Sequence, residues 1–374
     1  MRPTVAVVDL SAIRFNLEQI FRKVKPARVM AVVKADAYGH GMPEVARTAL
    51  EAGAGYLAVA LVEEGIALRE AGIEAPALVF GGFFPEQAPF FVRYNLEATL
   101  YSLENAAALA EAAKRLQKPA KVHIKIDTGM GRVGISWEEA ASFASKISQI
   151  PGIEIVGVYT HFATSDEKDK SFANLQLQRF KLTLKNIISQ GIRIPLKHAA
   201  NSGAILDMPG AYFDMVRPGI MMYGYYPSFE TTESVPLKPA MTFQSKVLYV
   251  KEVEEGTSVS YGRKYITRHK TTLATIPVGY ADGYNRLLTN RGEVLIHGQK
   301  YRVAGRVCMD QIIIDAGPGA SVRVGDDVVL FGRTARGEVS VYDICRKLNT
   351  TPYEVTCWVS NRVPRVYENQ NKAI

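Results

Sequence analysis

Cysteines and long apolar runs are both scarce in this 374-residue sequence. The three cysteines, Cys308, Cys345 and Cys357, include no C-x-x-C pair, which argues against a disulfide framework or a zinc ribbon and favours a reducing compartment. The longest clean apolar run, residues 56–62, is far shorter than the ~20 residues of a membrane-spanning helix. The first apolar stretch reaches Asp9 too soon for a signal peptide. We therefore expect a soluble, cytoplasmic protein with no membrane partner and no metal.

Runs of one charge sign are also missing. Lysine and arginine outnumber aspartate and glutamate by 45 to 37, and most of the excess lies in residues 235–374, but never more than two basic residues are adjacent. A nucleic-acid-binding domain usually concentrates its basic residues on one face or in one stretch. Scattered basic residues fit a solvated surface or the attraction of small anions, so we expect no nucleic-acid partner.

The region from about residue 28 to 225 alternates short apolar runs with amphipathic stretches. The runs lack polar alternation, as parallel strands buried on both faces require. They predict eight strands, at residues 28–33, 56–60, 77–80, 97–100, 121–126, 154–160, 196–199 and 213–216. Helical patterns lie between them at residues 43–52, 62–71, 102–116, 137–150 and 173–190. This count predicts an α/β fold of the (β/α)8 TIM barrel type, and the lack of a G-x-G-x-x-G after the first strand disfavours a doubly wound sheet.

The pattern changes after residue 227. Residues 228–239 resemble a linker, and beyond it the sequence predicts a mostly antiparallel β domain with one helix at 341–348. Its strands are expected at residues 245–253, 258–261, 272–278, 293–296, 300–307, 311–315 and 327–331. We therefore expect a barrel domain at 1–234 and a β domain at 235–374. A further strand at 4–9 could pair with the second domain.

Functional groups of such barrels gather where strands end. Lys34 follows the first apolar strand, where it could reach solvent past the barrel rim or be a desolvated, nucleophilic amine. The seventh and eighth strands end in Asn201-Ser202-Gly203 and Gly219-Ile220, whose hydroxyl and backbone N–H groups suit a phosphate. A lysine together with a phosphate site suggests pyridoxal 5′-phosphate (PLP).

Five segments resemble alanine racemases, the PLP-dependent enzymes of fold type III. They occur in the family's order, and the first is highly specific: residues 31–41 (AVVKADAYGHG), 127–132 (DTGMGR), 259–262 (VSYG), 279–283 (GYADG) and 305–310 (GRVCMD). The resemblance implies racemisation of L- and D-alanine, which supplies D-alanine for peptidoglycan. A serine or broad-specificity racemase of the same fold remains the alternative. A PLP-dependent decarboxylase of similar architecture is disfavoured by the VSYG segment.

The resemblance also implies how the cofactor is held. Lys34 would carry PLP as a Schiff base, and Arg217 would hydrogen-bond the pyridine nitrogen. A guanidinium does not give up its proton, so the ring nitrogen would stay unprotonated and the ring would be a weaker electron sink. Without the resemblance, an ion pair with Asp214 is the alternative for Arg217. The remaining cofactor contacts implied are Tyr38, Asn201, Ser202, Gly219, Ile220 and Tyr353.

Racemisation needs bases on both faces of the substrate. The resemblance assigns them to Lys34 and to Tyr261 of a partner subunit, with His161, linked to Arg217, assisting the phenol. It also implies that Arg132 and the backbone N–H of Met309 hold the amino-acid carboxylate.

Three further expectations follow from the same resemblance. In the family the lysine at the position of Lys125 is often carbamylated, which would give the neighbouring arginine an anion to contact. The protein would be a homodimer with shared active sites. An entrance corridor would be lined by Asp166, Tyr280, Arg286 and Arg306.

Overall fold

The computed structural model of the protein describes residues 2–369, which form two compact units. The barrel unit comprises residues 13–37 and 41–238, and the β unit comprises residues 2–12, 38–40 and 239–369. The division between the two thus falls after residue 238, four residues later than the sequence suggests. Residues 2–12 and the short segment 38–40 group with the β unit instead of the barrel.

Strands and helices alternate through the first two thirds of the described chain. The strands are β1 (Val5–Asp9), β2 (Arg28–Val32), β3 (Tyr56–Val59), β4 (Ala77–Val79), β5 (Glu97–Leu100), β6 (Ala120–Asp127), β7 (Ile135–Ser136), β8 (Ile153–Tyr159), β9 (Leu196–His198), β10 (Met215–Val216), β11 (Met241–Lys246), β12 (Tyr249–Val253), β13 (Ser258–Val259), β14 (Tyr265–Ile266), β15 (Thr271–Ile276), β16 (Glu293–Ile296), β17 (Gln299–Arg302), β18 (Ile312–Gly317), β19 (Asp327–Thr334), β20 (Gly337–Val339) and β21 (Arg365–Glu368). The helices are α1 (Leu10–Val24), α2 (Lys34–Gly39), α3 (Met42–Glu51), α4 (Val62–Glu70), α5 (Ala88–Arg93), α6 (Leu103–Leu116), α7 (Ala140–Ser148), α8 (Ser171–Ser189), α9 (Ser202–Asp207), α10 (Val341–Leu348) and α11 (Pro352–Cys357).

The barrel unit contains a closed parallel barrel, as the sequence predicts. Its eight strands pair in the order β5-β4-β3-β2-β10-β9-β8-β6, and β5 pairs with β6 to close the ring. The apolar runs form these strands because both of their faces are covered, and β3, β4 and β5 are buried at every position. The last strand, β10, is two residues shorter at its start than the run that predicts it. Closure brings the carboxyl ends of all eight strands to one rim.

The β unit is mostly antiparallel, also as predicted. Its largest sheet has the order β17-β16-β19-β11-β1-β21, with β20 beside β19. The N-terminal strand β1 pairs antiparallel with β11 and parallel with β21, which explains why the first residues group with this unit. Two smaller sheets have the orders β12-β15-β18 and β13-β14.

Several details of the β unit differ from the sequence expectation. The strand expected at 300–307 ends at Arg302, and the short strands β14, β20 and β21 were not predicted. The single strand expected at 245–253 is two strands, because the N–H of Val247 donates to Asp326 O and that of Leu248 to Thr275 O. The two halves of this apolar run therefore join different sheets. The short helix α11, whose second residue is Tyr353, was not predicted.

Candidate active site

Lys34 opens a left-handed turn at the end of β2. The four residues that follow it, Ala35, Asp36, Ala37 and Tyr38, all have φ between 51° and 53°, and Gly39 has φ 82°. This conformation costs an L-residue roughly 1–2 kcal/mol. The turn that places Lys34 is therefore left-handed and strained, and it is not the first turn of a right-handed helix. Such strain concentrates at functional sites, where surrounding contacts enforce it.

Carboxylates of the barrel unit hold this turn in place. Glu64 Oε1 accepts the N–H of Ala35 at 2.6 Å, and Asp36 Oδ1 accepts the N–H of Met42 at 2.8 Å. Within the β unit, a Cβ added at Gly39 would lie 2.3 Å from Thr356 O. Glycine is therefore required there for close approach of α11 as well as for its positive φ.

A cluster of cationic and imidazole groups lies inside the barrel near the same rim. Arg217 is 3% exposed and donates to Thr160 O at 2.7 Å, to Ala199 O at 2.9 Å and to His198 Nδ1 at 2.9 Å. Its NH2 group also lies 3.5 Å from His161 Nδ1. The predicted link between His161 and Arg217 is thus present, at the long limit of a hydrogen bond.

Desolvation controls the charge of this cluster. Burial lowers the pKa of Arg217 to about 10, which leaves it protonated at neutral pH. Burial and the nearby charges of Arg217 and Arg132 hold the pKa of Lys125 well below its usual range. The same effects, with Lys125 as the largest charge contribution, hold the pKa of His161 well below its usual range. Burial beside the Arg217 guanidinium therefore disfavours the charged forms of both the Lys125 amine and the His161 imidazole.

The alternative pairing of Arg217 with Asp214 is not observed. Asp214 instead accepts the N–H and the ammonium of Lys197, both at 2.8 Å. Arg217 points into the barrel, where backbone carbonyls and an imidazole satisfy its hydrogens.

Arg132 lies in a turn organised by Asp127. The carboxylate of Asp127 accepts the N–H groups of Gly129 at 2.9 Å and Gly131 at 3.1 Å. A Cβ at Gly129 would lie 2.8 Å from the Phe172 ring. The turn leaves the Arg132 side chain exposed, as a residue that captures a charged substrate must be.

Oxygen and nitrogen donors converge at the ends of β9 and β10. The Ser202 hydroxyl accepts the N–H of Gly219 at 3.0 Å, so the first turn of α9 and the turn that begins at Ile220 are adjacent. Asn201 Oδ1 caps α9 at the N–H of Ala204, 3.1 Å away, and also accepts the Ser165 hydroxyl. Asn201 therefore builds the helix start that presents Ser202.

The other two residues predicted to contact phosphate lie together in the β unit. The rings of Tyr38 and Tyr353 are 5.9 Å apart. Burial, with a smaller contribution from Cys357, raises the pKa of Tyr38 far above its usual range. Its phenol therefore keeps its hydrogen as a donor.

Tyr261 projects from the β unit on a strained turn. The sequence predicts it in a strand, but β13 ends at Val259 and Tyr261 begins a 3-10 turn between Ser260 (φ 62°) and Gly262 (φ 69°). The Ser260 hydroxyl donates to Arg306 O at 2.7 Å and lies 3.4 Å from Cys308 Sγ.

Two predicted site residues are exposed on the β unit. Tyr261 is 71% exposed and Met309 is 52% exposed. The backbone of Met309 packs closely against Gly279, since a Cβ added at Gly279 would lie 2.2 Å from Met309 O.

The predicted entrance residues are divided between the units. Asp166 belongs to the barrel unit, where its carbonyl accepts the Ser228 hydroxyl. Tyr280, Arg286 and Arg306 belong to the β unit, and the N–H of Tyr280 donates to Cys308 O at 3.0 Å. Their role at an entrance stays a prediction.

Sequence reasoning missed several buried polar residues of the barrel interior. Glu97, His123 and His198 are at most 3% exposed and hydrogen-bonded to one another in series. Each lies in a strand predicted to be buried on both faces, and an ionisable residue in such a strand is the available signal. A buried ionisable group needs a partner, so its presence in such a run predicts a polar network.

Two kinds of feature are absent from residues 2–369. No group of three or more His, Cys, Asp or Glu side chains is arranged to hold a metal ion. Every helix there is too short or too polar to cross a lipid bilayer.

Comparison with known proteins gives matches along nearly the whole chain. The family model "Alanine racemase, N-terminal domain" matches residues 8–227, and "Alanine racemase, C-terminal domain" matches residues 240–367. An alanine racemase of Halothermothrix orenii is 47% identical over 370 residues, which cover 99% of this chain and 98% of the relative.

Solved structures agree. The alanine racemase of Clostridium difficile 630 superposes with a TM-score of 0.96 at 41% identity, covering 100% of this chain and 97% of that one. That of Bacillus anthracis, with bound L-Ala-P, gives 0.93 at 37% identity and covers 100% and 96%.

Proposed function

Because the chain belongs to the alanine racemase family, whose members interconvert L- and D-alanine, we propose that it does so with PLP and two bases, Lys34 and Tyr261. The observation that carries the proposal is the arrangement at the barrel rim. A lysine held in a strained turn lies in a unit that also buries a protonated arginine, Arg217. Both features suit a cofactor with an electrophilic carbon and a ring nitrogen.

The donor set fits PLP. The Ser202 hydroxyl, which accepts the Gly219 N–H and keeps its own hydrogen to donate, and the N–H of Ile220 stand where two short helical turns begin, which suits a phosphate dianion. Asn201 supports them, and we assign the phenols of Tyr38 and Tyr353 to the same phosphate. When bound, PLP supplies an electron sink for the charge left at the substrate Cα.

Arg217 sets how strong that sink is. Its five N–H groups are all donors, and its pKa of about 10 keeps it charged at pH 7. Arg217 would therefore hold the pyridine nitrogen of PLP as a hydrogen-bond donor, which would keep that nitrogen unprotonated. A weaker sink favours prompt return of a proton to Cα over side reactions such as transamination.

The two bases act at the same carbon from opposite faces. One of them removes the Cα proton, and the other donates a proton to the opposite face. Lys34 Nζ serves the D-alanine face and Tyr261 Oη the L-alanine face. Arg217 has no acceptor, so a neutral His161 that accepts from it at Nδ1 would carry its hydrogen on Nε2. We assign that Nε2–H to stabilising the phenolate of Tyr261, since a phenol is a poor base without a polar neighbour.

The substrate carboxylate is assigned to the guanidinium of Arg132 and the backbone N–H of Met309. Lys125 would then become a carbamate, since its lowered pKa favours the neutral, nucleophilic amine. Its nitrogen attacks the carbon of CO2 and loses one proton, which gives an anion that can contact Arg132. An uncharged or anionic Lys125 also avoids repulsion from the buried Arg217 cation and from Arg132.

The sites are proposed to be completed by a second copy of the chain. Tyr261 and Met309 are largely exposed, as are apolar residues that follow β3 and β4 in the barrel unit, Leu61 (56%) and Phe84 (74%). Exposed apolar groups on both units fit the two sides of a homodimer interface. Asp166, Tyr280, Arg286 and Arg306 are proposed to line the entrance, and the D-alanine product to supply cytoplasmic peptidoglycan synthesis.

Hydrogen exchange tests the two-base mechanism. In D2O, Tyr261→Ala should stop Cα–H exchange from L-alanine and leave exchange from D-alanine largely intact. The loss should be about 10²–10⁴-fold, the usual contribution of one acid–base group. A similar slowing from both enantiomers would indicate a single base and refute the assignment.

Subunit mixing tests the shared site. Lys34→Ala and Tyr261→Phe subunits should each be inactive, and their mixed dimers should regain one of two sites. Were both residues supplied by the same chain, every site in the mixed dimer would carry one lesion and remain inactive. The unmixed variants, taken through the same subunit-exchange procedure, are the control.

A further inference from the structure

A series of buried side chains runs from Arg217 across the barrel to a carboxylate. His198 Nδ1 lies 2.9 Å from the Arg217 guanidinium, and His198 Nε2 lies 2.9 Å from His123 Nδ1. His123 Nε2 in turn lies 2.8 Å from Glu97 Oε2, and Tyr56 donates to Glu97 Oε1 at 3.0 Å. Arg217, His198, His123 and Glu97 are each at most 3% exposed. We call these four residues the barrel relay.

The chemistry of the two ends fixes every hydrogen between them. Arginine has no acceptor, so His198 Nδ1 must accept and the hydrogen of a neutral His198 is on Nε2. That Nε2–H donates to His123 Nδ1, and the hydrogen of His123 is therefore also on Nε2, directed at Glu97. Reversing this order, by a protonated Glu97 or a doubly protonated His123, would leave His198 accepting at both nitrogens. It would then have to be an imidazolate anion.

The protein makes room for this alignment. A Cβ added at Gly157, on β8, would lie 2.4 Å from His123 Nδ1 and 2.6 Å from its Cε1. The pairing of β6 with β8 also shifts register between Val122 and His123. The His198 ring is stacked on Tyr159, with centroids 4.8 Å apart and planes 4° apart. Both imidazoles are thus held in one orientation.

We propose that Glu97 is a positioning residue for Arg217: its carboxylate, through the Nε2–H tautomers of His123 and His198, compensates the guanidinium charge and orients it. Glu97 does not touch Arg217, so it would act as a counter-ion at a distance. The functional part of this proposal rests on the assignment of Arg217 to the cofactor ring, but the tautomers and the charge alignment do not.

The surrounding charges are consistent with neutral imidazoles. Burial, followed by the nearby charges of Arg217, His123 and Lys125, holds the pKa of His198 well below its usual range. Lys125 stands over the Tyr159 ring, with Nζ 4.3 Å from the centroid, and burial lowers its own pKa as well.

Nitrogen NMR of the full-length protein, labelled with 15N-histidine, tests the alignment without using racemase activity. Both relay histidines, assigned by single His→Gln variants, should show an unprotonated Nδ1 and a protonated Nε2 from pH 6 to 9. Lys34→Ala should leave these signals unchanged, so a failure of the proposed chemistry would not move them. A hydrogen on Nδ1, or an imidazolium, at either residue would overturn the relay.

Catalytic measurements test what the relay does. Glu97→Leu should lower kcat by about 10–100-fold, as for carboxylates that orient metal-bound imidazoles, with KM changed less than about threefold. Glu97→Gln keeps an acceptor and loses only the charge, so its loss should be smaller. Gly157→Ala keeps every relay residue but displaces His123, and should lower kcat and alter the His123 signals together.

A matched control separates this effect from general loss of packing. Thr48 is buried in α3 and donates one hydrogen bond, to Glu44 O at 2.8 Å. Thr48→Val should leave both kcat and the histidine signals unchanged. Full activity in Glu97→Gln and Gly157→Ala would overturn the proposal, even if Glu97→Leu failed to fold.

Discussion

The left-handed turn after Lys34 makes an unusual prediction, that a glycine should stabilise the protein. Ala35 is exposed and has φ 52°. Alanine in this conformation costs about 1–2 kcal/mol that glycine avoids, whereas glycine loses roughly 0.5–1 kcal/mol more through the freedom of its unfolded chain. Ala35→Gly should therefore raise the free energy of unfolding by about 0.5–1 kcal/mol.

A matched substitution in ordinary helix should have the opposite sign. Ala107 is an exposed residue in the interior of α6, where alanine to glycine costs about 1 kcal/mol. Both residues belong to the barrel unit, so one unfolding transition reports on both. The two variants should therefore differ by roughly 1.5–2 kcal/mol in total.

Urea unfolding followed by circular dichroism provides the measurement. All variants are best compared in the Lys34→Ala background without added PLP, because altered cofactor binding would otherwise shift the apparent stability. If Ala35→Gly lowered the unfolding midpoint as much as Ala107→Gly does, the left-handed turn would be refuted.

Three other outcomes are expected. Purified protein should be yellow with PLP, and Lys34→Ala should lose the visible band; a colourless wild type that takes up no added PLP would end the cofactor proposal. Gly39→Ala should cost about 2–4 kcal/mol more than Gly72→Ala, measured by urea unfolding, since both have positive φ but only Gly39 approaches Thr356 O; equal losses would contradict that approach. In CO2-free buffer, Lys125→Met should raise the free energy of unfolding, and this gain should shrink as pH rises toward 10.5. The reason is that below pH 10.5 the unfolded chain binds a proton on Lys125 that the folded chain excludes. A gain that did not vary with pH would show that Lys125 is not desolvated.

The barrel could be predicted because its signal is repeated and local. Each apolar run is long enough for one buried strand, and the amphipathic stretches between them have helical spacing, so β5 is predicted at its observed bounds. Lys34 could be singled out because a charged residue directly after such a run lies at the barrel rim. The pairing of β2 with β10, the first and last barrel strands along the chain, follows from the strand count alone.

Other features depend on contacts that sequence spacing does not encode. Nothing in Ala35-Asp36-Ala37-Tyr38 favours four consecutive left-handed residues, because the turn is imposed by Glu64 and by the approach of α11 to Gly39. Likewise, the apolar run at 245–253 predicts one strand, because its division depends on which distant segments offer a carbonyl to Val247 and Leu248. Both features are set by tertiary contacts with residues far away in the chain.

The barrel relay could be predicted from the sequence only in part. It also shows where the barrel interior departs from the apolar packing that would stabilise it most. TIM-barrel interiors are usually filled with layers of branched apolar side chains, and replacing buried ions with apolar groups often stabilises a protein. Here Glu97 and Arg217 are both buried, and the bulk of His123 is accommodated only because residue 157 is glycine. The neighbouring strand β8 therefore accommodates a series of polar side chains that apolar packing would not favour. Such a series is expected where the charge at one end has a functional role, and Arg217 is the end that faces the rim.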